Sequence, residues 1–343
     1  MKRIYFQVFF LFVLITLFSC HKNSVPYTQS GNWVTESQLN GPARSEAVSF
    51  VIGNFAYLGT GWDGLNTRYA DFWRYDPANN IWSQVSSLPD SAARSSGIAF
   101  TVNSKGYVGT GYSNNLTYMN DMWEFDPDAN TWTQKANFLG SPRYEAVAFG
   151  LGDFGYVGTG FDGSNALKDF YKYDPSTNSW SDVGFSGNKR MGAVTFTYNS
   201  KAYVVTGVNS GVMQTDFWVF NPASDTAKWS ELNHISNYSS DAFDDSYTNI
   251  VRWNGSAFVI GDYGYISCGE NGVNLTATWE YNFATDLWVQ KTPFEGPPTT
   301  GAVGFNVAGL GYVATGRSSA GQPGASDYLR QFQPNVTENP NDN

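Results

Sequence analysis

Cysteine is almost missing from this chain. Its 343 residues include two, Cys20 and Cys268, so no network of disulfides supports the fold. Histidine is as scarce, with His21 and His234 far apart in sequence. A copper or zinc cluster built on imidazoles is therefore not expected, and no metal or cofactor is expected. Basic charge is short too: 20 Lys and Arg stand against 30 Asp and Glu, a formal charge of −10 with no basic run. That excludes nucleic acid as a partner and argues against electrostatic docking on anionic lipid. No G-x-S-x-G, phosphate-loop or dinucleotide fingerprint occurs. Aromatic residues and glycine are abundant instead, with 12 Trp, 21 Tyr, 25 Phe and 35 Gly. Stability must come from burial, and the chain is long and aromatic enough to supply it.

The one long apolar run lies at the start. Lys2 and Arg3 precede a stretch from Ile4 to Phe18 broken only by Gln7 and Thr16. Such a stretch has the length of a signal peptide and is short for a membrane span. It ends in Leu17-Phe18-Ser19-Cys20, which resembles a bacterial lipobox, with Phe18 bulkier than usual at its place. The resemblance implies acylation of Cys20. Removing residues 1–19 takes the formal charge from −10 to −12. The expected organisation is a lipoprotein signal peptide over 1–19, a linker over 20–29, a repeat domain over 30–335 and a tail over 336–343. The expected location is the bacterial cell envelope, lipid-anchored to the outer membrane and facing the periplasm or the surface, as a monomer.

The body repeats itself. "GYVGTG" occurs at Gly106–Gly111 and again at Gly155–Gly160, with near-copies containing Tyr57, Tyr203, Tyr265 and Tyr312. The Tyr spacings are 50, 49, 47, 62 and 47, a period in the range of β-propeller repeats. Seven residues before each Tyr stands a Phe, and six before that Phe stands Arg44, Arg94, Arg143, Arg190 or Arg252, with Thr299 in the sixth unit. The pattern predicts a buried first strand and a Gly-bearing second strand. An aromatic third strand such as "DFWRYDP" follows, then a turn and a fourth strand carrying a Trp. Six second strands are present, but the last unit has no Trp strand of its own, while "GNWVTES" around Trp33 stands unused at the front. The reading is all-β: six four-stranded antiparallel blades, the last completed by the N-terminal strand.

These residues resemble kelch repeats, and more loosely the propeller of galactose-oxidase-like proteins, over about residues 33–334. Pro142-Arg143, Tyr173 and Trp180 fit the kelch pattern. The usual Gly pair is replaced by Thr-Gly in five units and by Cys268-Gly269 in one. The resemblance implies a ring around a central channel. It implies little about activity, because such rings serve as binding platforms and occasionally as enzymes. The copper site of galactose oxidase is not expected, since its histidines have no counterparts.

Candidate sites gather on one rim. Arg44, Arg94, Arg143, Arg190 and Arg252 open the first strands there and would form a positive ring that clamps a carboxylate. The alternative is that they bond carbonyls between blades. Trp62 and Asp63, Tyr112, and Phe161 and Asp162 begin loops on the same rim, and an aromatic beside a polar group suits a glycan or a protein partner. The alternative is packing and turn formation. The 230–251 insertion holds Asp241, Asp244 and Asp245 and reads as a lid, a Ca²⁺ loop or a solvated loop. Asp71, Asp121, Asp169, Asp216 and Asp327 read as structural. Glu46 and Glu145, two residues after an Arg and so on its strand face, are the acid/base candidates of an enzyme or simple Arg partners. The favoured expectation is a binding module for a glycan or protein ligand at the Arg-rich rim. The alternative is a carbohydrate-active enzyme on an acidic sugar, resembling sialic acid epimerases or mutarotases.

Overall fold

The computed structural model describes residues 30–318, 324–339, 341 and 342. The signal segment, Cys20 and the linker lie outside the described residues. Six four-stranded antiparallel sheets follow one another as blades. Blade 1 is Val48–Ile52, Phe55–Gly59, Phe72–Asp76 and Ile81–Val85. Blades 2 to 5 repeat it from Ile98–Val102, Val147–Leu151, Val194–Tyr198 and Ser256–Ile260, each the inner strand of its sheet. Blade 6 takes Val303–Val307, Leu310–Ala314 and Leu329–Gln333 from the C-terminal end and Asn32–Thr35 from the N-terminal end. Trp33 pairs with Phe332, so the first strand completes the last sheet as the sequence predicts. The tail lies against it, with Gly31 N donating to Val336 O at 3.0 Å.

The core lies between blades, where the repeated aromatics interlock. Phe72 of blade 1 meets Trp132 of blade 2 at 4.7 Å between ring centroids, and Phe170 of blade 3 meets Trp229 of blade 4 at 5.2 Å. The glycines of the second strand make room for this contact. A Cβ on Gly106 would lie 2.2 Å from the Phe50 ring of the preceding blade. Among the described residues no helix is long and apolar enough to cross a membrane.

Each repeated Arg closes its own blade from within. Arg94 is fully buried and holds Asp121 with two bonds, Nη1 to Oδ1 at 2.8 Å and Nη2 to Oδ2 at 2.7 Å. Nη1 also donates to Thr110 O at 2.9 Å and Nε to Ala92 O at 2.8 Å. Arg44 with Asp71 and Arg143 with Asp169 repeat the clip, and Arg190 keeps half of it, with Nη2 on Asp216 Oδ2 and Nη1 on the Asp216 carbonyl at 3.4 Å. The Thr of Thr-Gly sits at positive φ, from 51° to 66° in its five units, and in the four that have an Arg its carbonyl accepts from the guanidinium. Blade 5 keeps Arg252, but Ala277 stands at the Asp position. Arg252 bonds only carbonyls there, those of Cys268, Ala277, Ile250 and Asn249, and burial brings its pKa down to about 10. In blade 6 both partners are replaced, by Thr299 and Tyr328. Asp327 sits one residue out of register, since Thr315 N bonds Tyr328 O where Thr60 N bonds Asp71 O.

Trp33 tests the closure. It is fully buried, packs on Phe258, Phe294 and Phe332, and donates its indole N–H to Thr292 O at 3.3 Å. Trp33→Ala is expected to lower unfolding free energy by about 3–5 kcal/mol, read from the urea midpoint. A loss below about 1 kcal/mol would show that the ring holds without this strand.

Candidate functional site

The channel opens on the rim where the first strands begin. The residue two after each Arg, or after Thr299, sits at the lip of this mouth: Glu46, Ser96, Glu145, Gly192, Asn254 and Gly301. All six adopt positive φ, between 49° and 64°. Their backbones bond head to tail in a closed ring. Ser96 N donates to Glu46 O, Glu145 N to Ser96 O, Gly192 N to Glu145 O, Asn254 N to Gly192 O, Gly301 N to Asn254 O and Glu46 N to Gly301 O, all within 2.7–3.1 Å. The ring bounds a small chamber of about 160 Å³, which leads to a channel of about 190 Å³ lined by the inner strands.

The left-handed turn explains a departure from expectation. Strand alternation would put Glu46 on the face of Arg44 and Glu145 on that of Arg143. A residue at φ near +50° breaks that alternation. Glu46 instead takes Arg317 of blade 6, Nη1 to Oε1 at 2.9 Å, and accepts the Ser96 hydroxyl on Oε2 at 2.7 Å. Glu145 Oε1 accepts the Asn254 amide at 3.1 Å, while its buried Oε2 has no hydrogen-bond partner. Burial, with the nearby Glu46 charge, pushes the Glu145 pKa up to about 8.

The rim loops bring up the rest. The residue after each Thr-Gly or Cys-Gly pairs with the start of the first strand: Trp62 with Ser45, Tyr112 with Ser95, Phe161 with Tyr144, Val208 with Met191, Glu270 with Trp253 and Arg317 with Thr300. Tyr112, Tyr118, Tyr144 and Phe161 form a run of ring contacts at 5.4 to 5.7 Å. Arg68 lies over Tyr112 at 4.6 Å and near Trp62 at 5.9 Å, and Arg317 lies 5.7 Å from Trp62. The Glu270 pKa is raised by burial against the pull of Arg317. Trp62 Nε1 and Arg317 Nε are buried without hydrogen-bond partners. Three carboxylates, two guanidiniums and a bank of aromatic rings therefore surround this mouth.

Not every expected residue belongs here. Arg44, Arg94, Arg143, Arg190 and Arg252 are wholly buried inside their blades, so the expected ring of ligand-facing guanidiniums is corrected: their donors are taken up by Asp and carbonyl partners. Asp63 and Asp162 build their own turns. Asp63 Oδ1 accepts Leu65 N and Thr67 N, and the N–H groups of Asn165 and Ser164 hold the Asp162 carboxyl below its usual range. Trp62, Tyr112 and Phe161 do sit on the rim. The insertion does not lid the chamber: it packs along blade 5, where Tyr247 contacts Trp279 and accepts Trp288 N. Asp244 accepts Tyr238 N and Ser239 N. Among the described residues no group of three or more metal-ligating side chains forms. Arg68, Glu270, Arg317, Asn254, Tyr118 and Tyr144 are mouth residues that the sequence reading did not single out.

Comparison with known proteins agrees with this geometry at the level of the fold. A family model described as the KLHDC2/KLHL20/DRC7 Kelch-repeats domain matches residues 92–252, and a Kelch motif model matches 61–89. The chain thus carries kelch repeats. A solved structure described as "Structure of YjhT" is similar with a TM-score of 0.70 at 14% identity, over 86% of this chain and 95% of that one. No curated protein matches the sequence.

The raised Glu145 pKa has a consequence for stability. The unfolded carboxyl releases its proton near its ordinary 4.5, whereas the folded chain keeps it up to about 8. Between those values the folded state binds more protons, so this group costs stability as pH rises through the window. Glu145→Gln is expected to melt above the parent at pH 8, with the gap closing toward pH 4.5. A gap that does not change with pH in thermal unfolding would place the proton elsewhere.

Proposed function

We propose that this chain is a ligand-binding kelch propeller that takes a sugar, or the end of a glycan, at the mouth of its channel. One observation carries the reading: charged and aromatic side chains that do not clip their own blades, Arg68, Glu145, Glu270, Arg317, Trp62 and Tyr112, converge on that mouth. The chamber is small for a drug-sized ligand and suits one polar ring. A sugar offers hydroxyls to carboxylates and an apolar face to aromatic rings, and Trp62 Nε1 and Glu145 Oε2 stand there as an unpaired donor and an unpaired acceptor or acid. Arg68 forms no ion pair among the described residues, which suits a sugar bearing a carboxylate. A concave polar site of this size does not fit the flat contact a folded protein partner needs.

The anchoring belongs to the same proposal. Acylation at Cys20 would hold the propeller at the outer membrane of a bacterial envelope, on a linker of residues 20–29. Cys20→Ala is expected to abolish labelled palmitate incorporation and move the protein from membrane to soluble fractions; an unchanged distribution would remove the anchor from the proposal.

A second reading, proton transfer on the same sugar, is favoured by Glu145. Its high pKa beside the Arg317-paired Glu46 gives two carboxyl groups in contrasting environments, the usual arrangement of an acid and a base. The mature chain on a glycan array should retain sugars, and Arg317→Ala should weaken retention about tenfold or more without lowering the melting temperature by more than a few degrees. Retention of no sugar, or equal retention by the variant, would overturn the binding site. Exchange of sugar anomers followed by NMR separates the readings: acceleration lost in Glu145→Gln makes it an enzyme, and an unaccelerated rate leaves a binder.

A further inference from the structure

The seam between blades 3 and 4 differs from its neighbours. In blades 1, 2, 3 and 5 the residue two before the outer-strand Trp plugs the gap to the preceding blade. Asn80 Oδ1 accepts Ser37 N, Asn130 Oδ1 accepts Ser86 N, Asn178 Oδ1 accepts Ala136 N, and Asp286 Oδ2 accepts Asn233 N, at 2.8–2.9 Å. A blade phenol reinforces the plug in three of them, Tyr75, Tyr173 and Tyr281, at 2.7–3.0 Å. Blade 4 has neither half: Ala227 stands at the plug position, Phe220 stands for the phenol, and the turn between them is two residues longer. The end of blade 3 folds back on itself, Gly184 N donating to Asp182 Oδ1 at 2.8 Å and to Phe170 O at 3.1 Å, and keeps one link across the seam, with Gly184 O accepting Trp229 Nε1 at 2.9 Å.

The gap opens into a cavity of about 470 Å³ on the face away from the mouth. Leu151, Phe154, Tyr156, Val183 and Phe220 make apolar walls, and Lys172 and Lys228 supply two ammonium groups, with Asp153 on the blade 3 turn. Lys172 Nζ lies over the Phe154 ring at 4.4 Å and Lys228 Nζ donates to Pro222 O at 2.8 Å; neither forms an ion pair among the described residues. The size falls within the range of small-molecule pockets.

The other blades show what chemistry this place accepts. Lys172 faces Tyr156 across the sheet, in the register where Glu124 faces Tyr107 and Glu280 faces Tyr265. In those blades a carboxylate stands between a phenol and an ammonium. Tyr107 donates to Glu124 at 2.5 Å with Lys135 Nζ at 3.3 Å, and Tyr265 donates to Glu280 at 2.6 Å with Lys291 Nζ at 3.2 Å. Blade 3 has the phenol, but an ammonium, Lys172, stands in the carboxylate's own column and no carboxylate joins the two. We propose that this seam is a second binding site, independent of the mouth, for a small carboxylate with a flat apolar body. The ligand's carboxylate bridges the Tyr156 phenol and the Lys172 ammonium, and its apolar body enters the unplugged gap against Phe154, Phe220 and Val183.

The probe is 2-naphthylacetate, titrated into the mature chain by calorimetry. Binding is expected, weakened about tenfold or more by Lys172→Met and at least as strongly by Val183→Trp, which fills the gap. Circular dichroism and melting confirm that both variants fold. The neutral alcohol 2-(2-naphthyl)ethanol is expected to bind about tenfold less tightly, and Arg317→Ala to leave the probe's affinity unchanged. No binding at about 1 mM, equal binding of acid and alcohol, or an unaffected Lys172→Met each overturns the proposal. Loss of binding in Arg317→Ala would move the ligand to the mouth and overturn it too.

Discussion

Six backbone hydrogen bonds, closed head to tail around the channel mouth, are the constraint on which the rest of the molecule depends. Each joins the first residues of one blade to those of the next, so no blade can tilt without stretching two of them. The geometry demands a left-handed residue at every corner, which costs a non-Gly residue about 1–2 kcal/mol. Two corners are Gly192 and Gly301 and one is Asn254, for which the cost is lower. Glu46, Ser96 and Glu145 bear it in full. A second closed ring runs just outside, where the Gly after each Thr or Cys donates to the carbonyl of the next blade's Arg or Thr299, at 2.7–2.9 Å. The two rings act on backbone atoms alone. Side chains at the inner corners are therefore free to differ, and they do.

The Arg clips hold the outer ring in place. A guanidinium with two bonds to Asp and two to carbonyls has most of its donors satisfied, which is the condition for tolerating a buried charge. The Asp does more than balance it: Asp71, Asp121 and Asp216 also accept the indole N–H two residues on, from Trp73, Trp123 and Trp218. One carboxylate thus ties the start of the first strand to the start of the third. Blades 5 and 6 show that the clip can be dismantled in steps. Arg252 survives on carbonyls alone, with its pKa brought down by burial, and Thr299 with Tyr328 removes charge from the position altogether. These two blades also supply Glu270 and Arg317 to the mouth.

Much of the fold was legible because repetition makes each column of the sequence visible six times. The Phe, Tyr and Trp columns mark the seams between blades, and the spare Trp strand at the front matches the unfinished sheet at the back. The site was less legible for two physical reasons. A regular column of arginines looks like a ligand ring from sequence, yet regularity is the mark of a part every blade needs, and the Asp column 26 or 27 residues on was its partner. The alternation rule also misplaced Glu46 and Glu145, because nothing in "RSEAVSF" announces φ near +50° at the third residue. The signal that would have found the mouth was available: reading the columns two after Arg and one after Thr-Gly through all six units gives Glu46, Glu145 and Asn254, then Trp62, Tyr112, Glu270 and Arg317.

A propeller of identical blades would have a sixfold mouth, and a sixfold mouth has nowhere to orient an asymmetric ligand. On the proposed function, recognition therefore lies where columns vary. The inner lip varies: around one ring it presents carboxylate, hydroxyl, carboxylate, hydrogen, amide and hydrogen. The two glycines, at blades 4 and 6, flank Asn254 and leave room on both sides of it. Arg317 of blade 6 reaches back over Glu46 of blade 1, and Arg68 of blade 1 lies over Tyr112 of blade 2, so these three charged groups gather where the last blade meets the first, while Glu145 and Glu270 come from blades 3 and 5. The aromatic run from Tyr112 to Phe161 occupies blades 2 and 3 beside them. The unplugged seam of blade 4 follows the same logic at the other face, where losing one repeated contact opens a cavity while the backbone rings keep the ring closed. The closure of the propeller's mouth and the asymmetry of its lining are thus carried by different atoms, main chain for the first and side chains for the second.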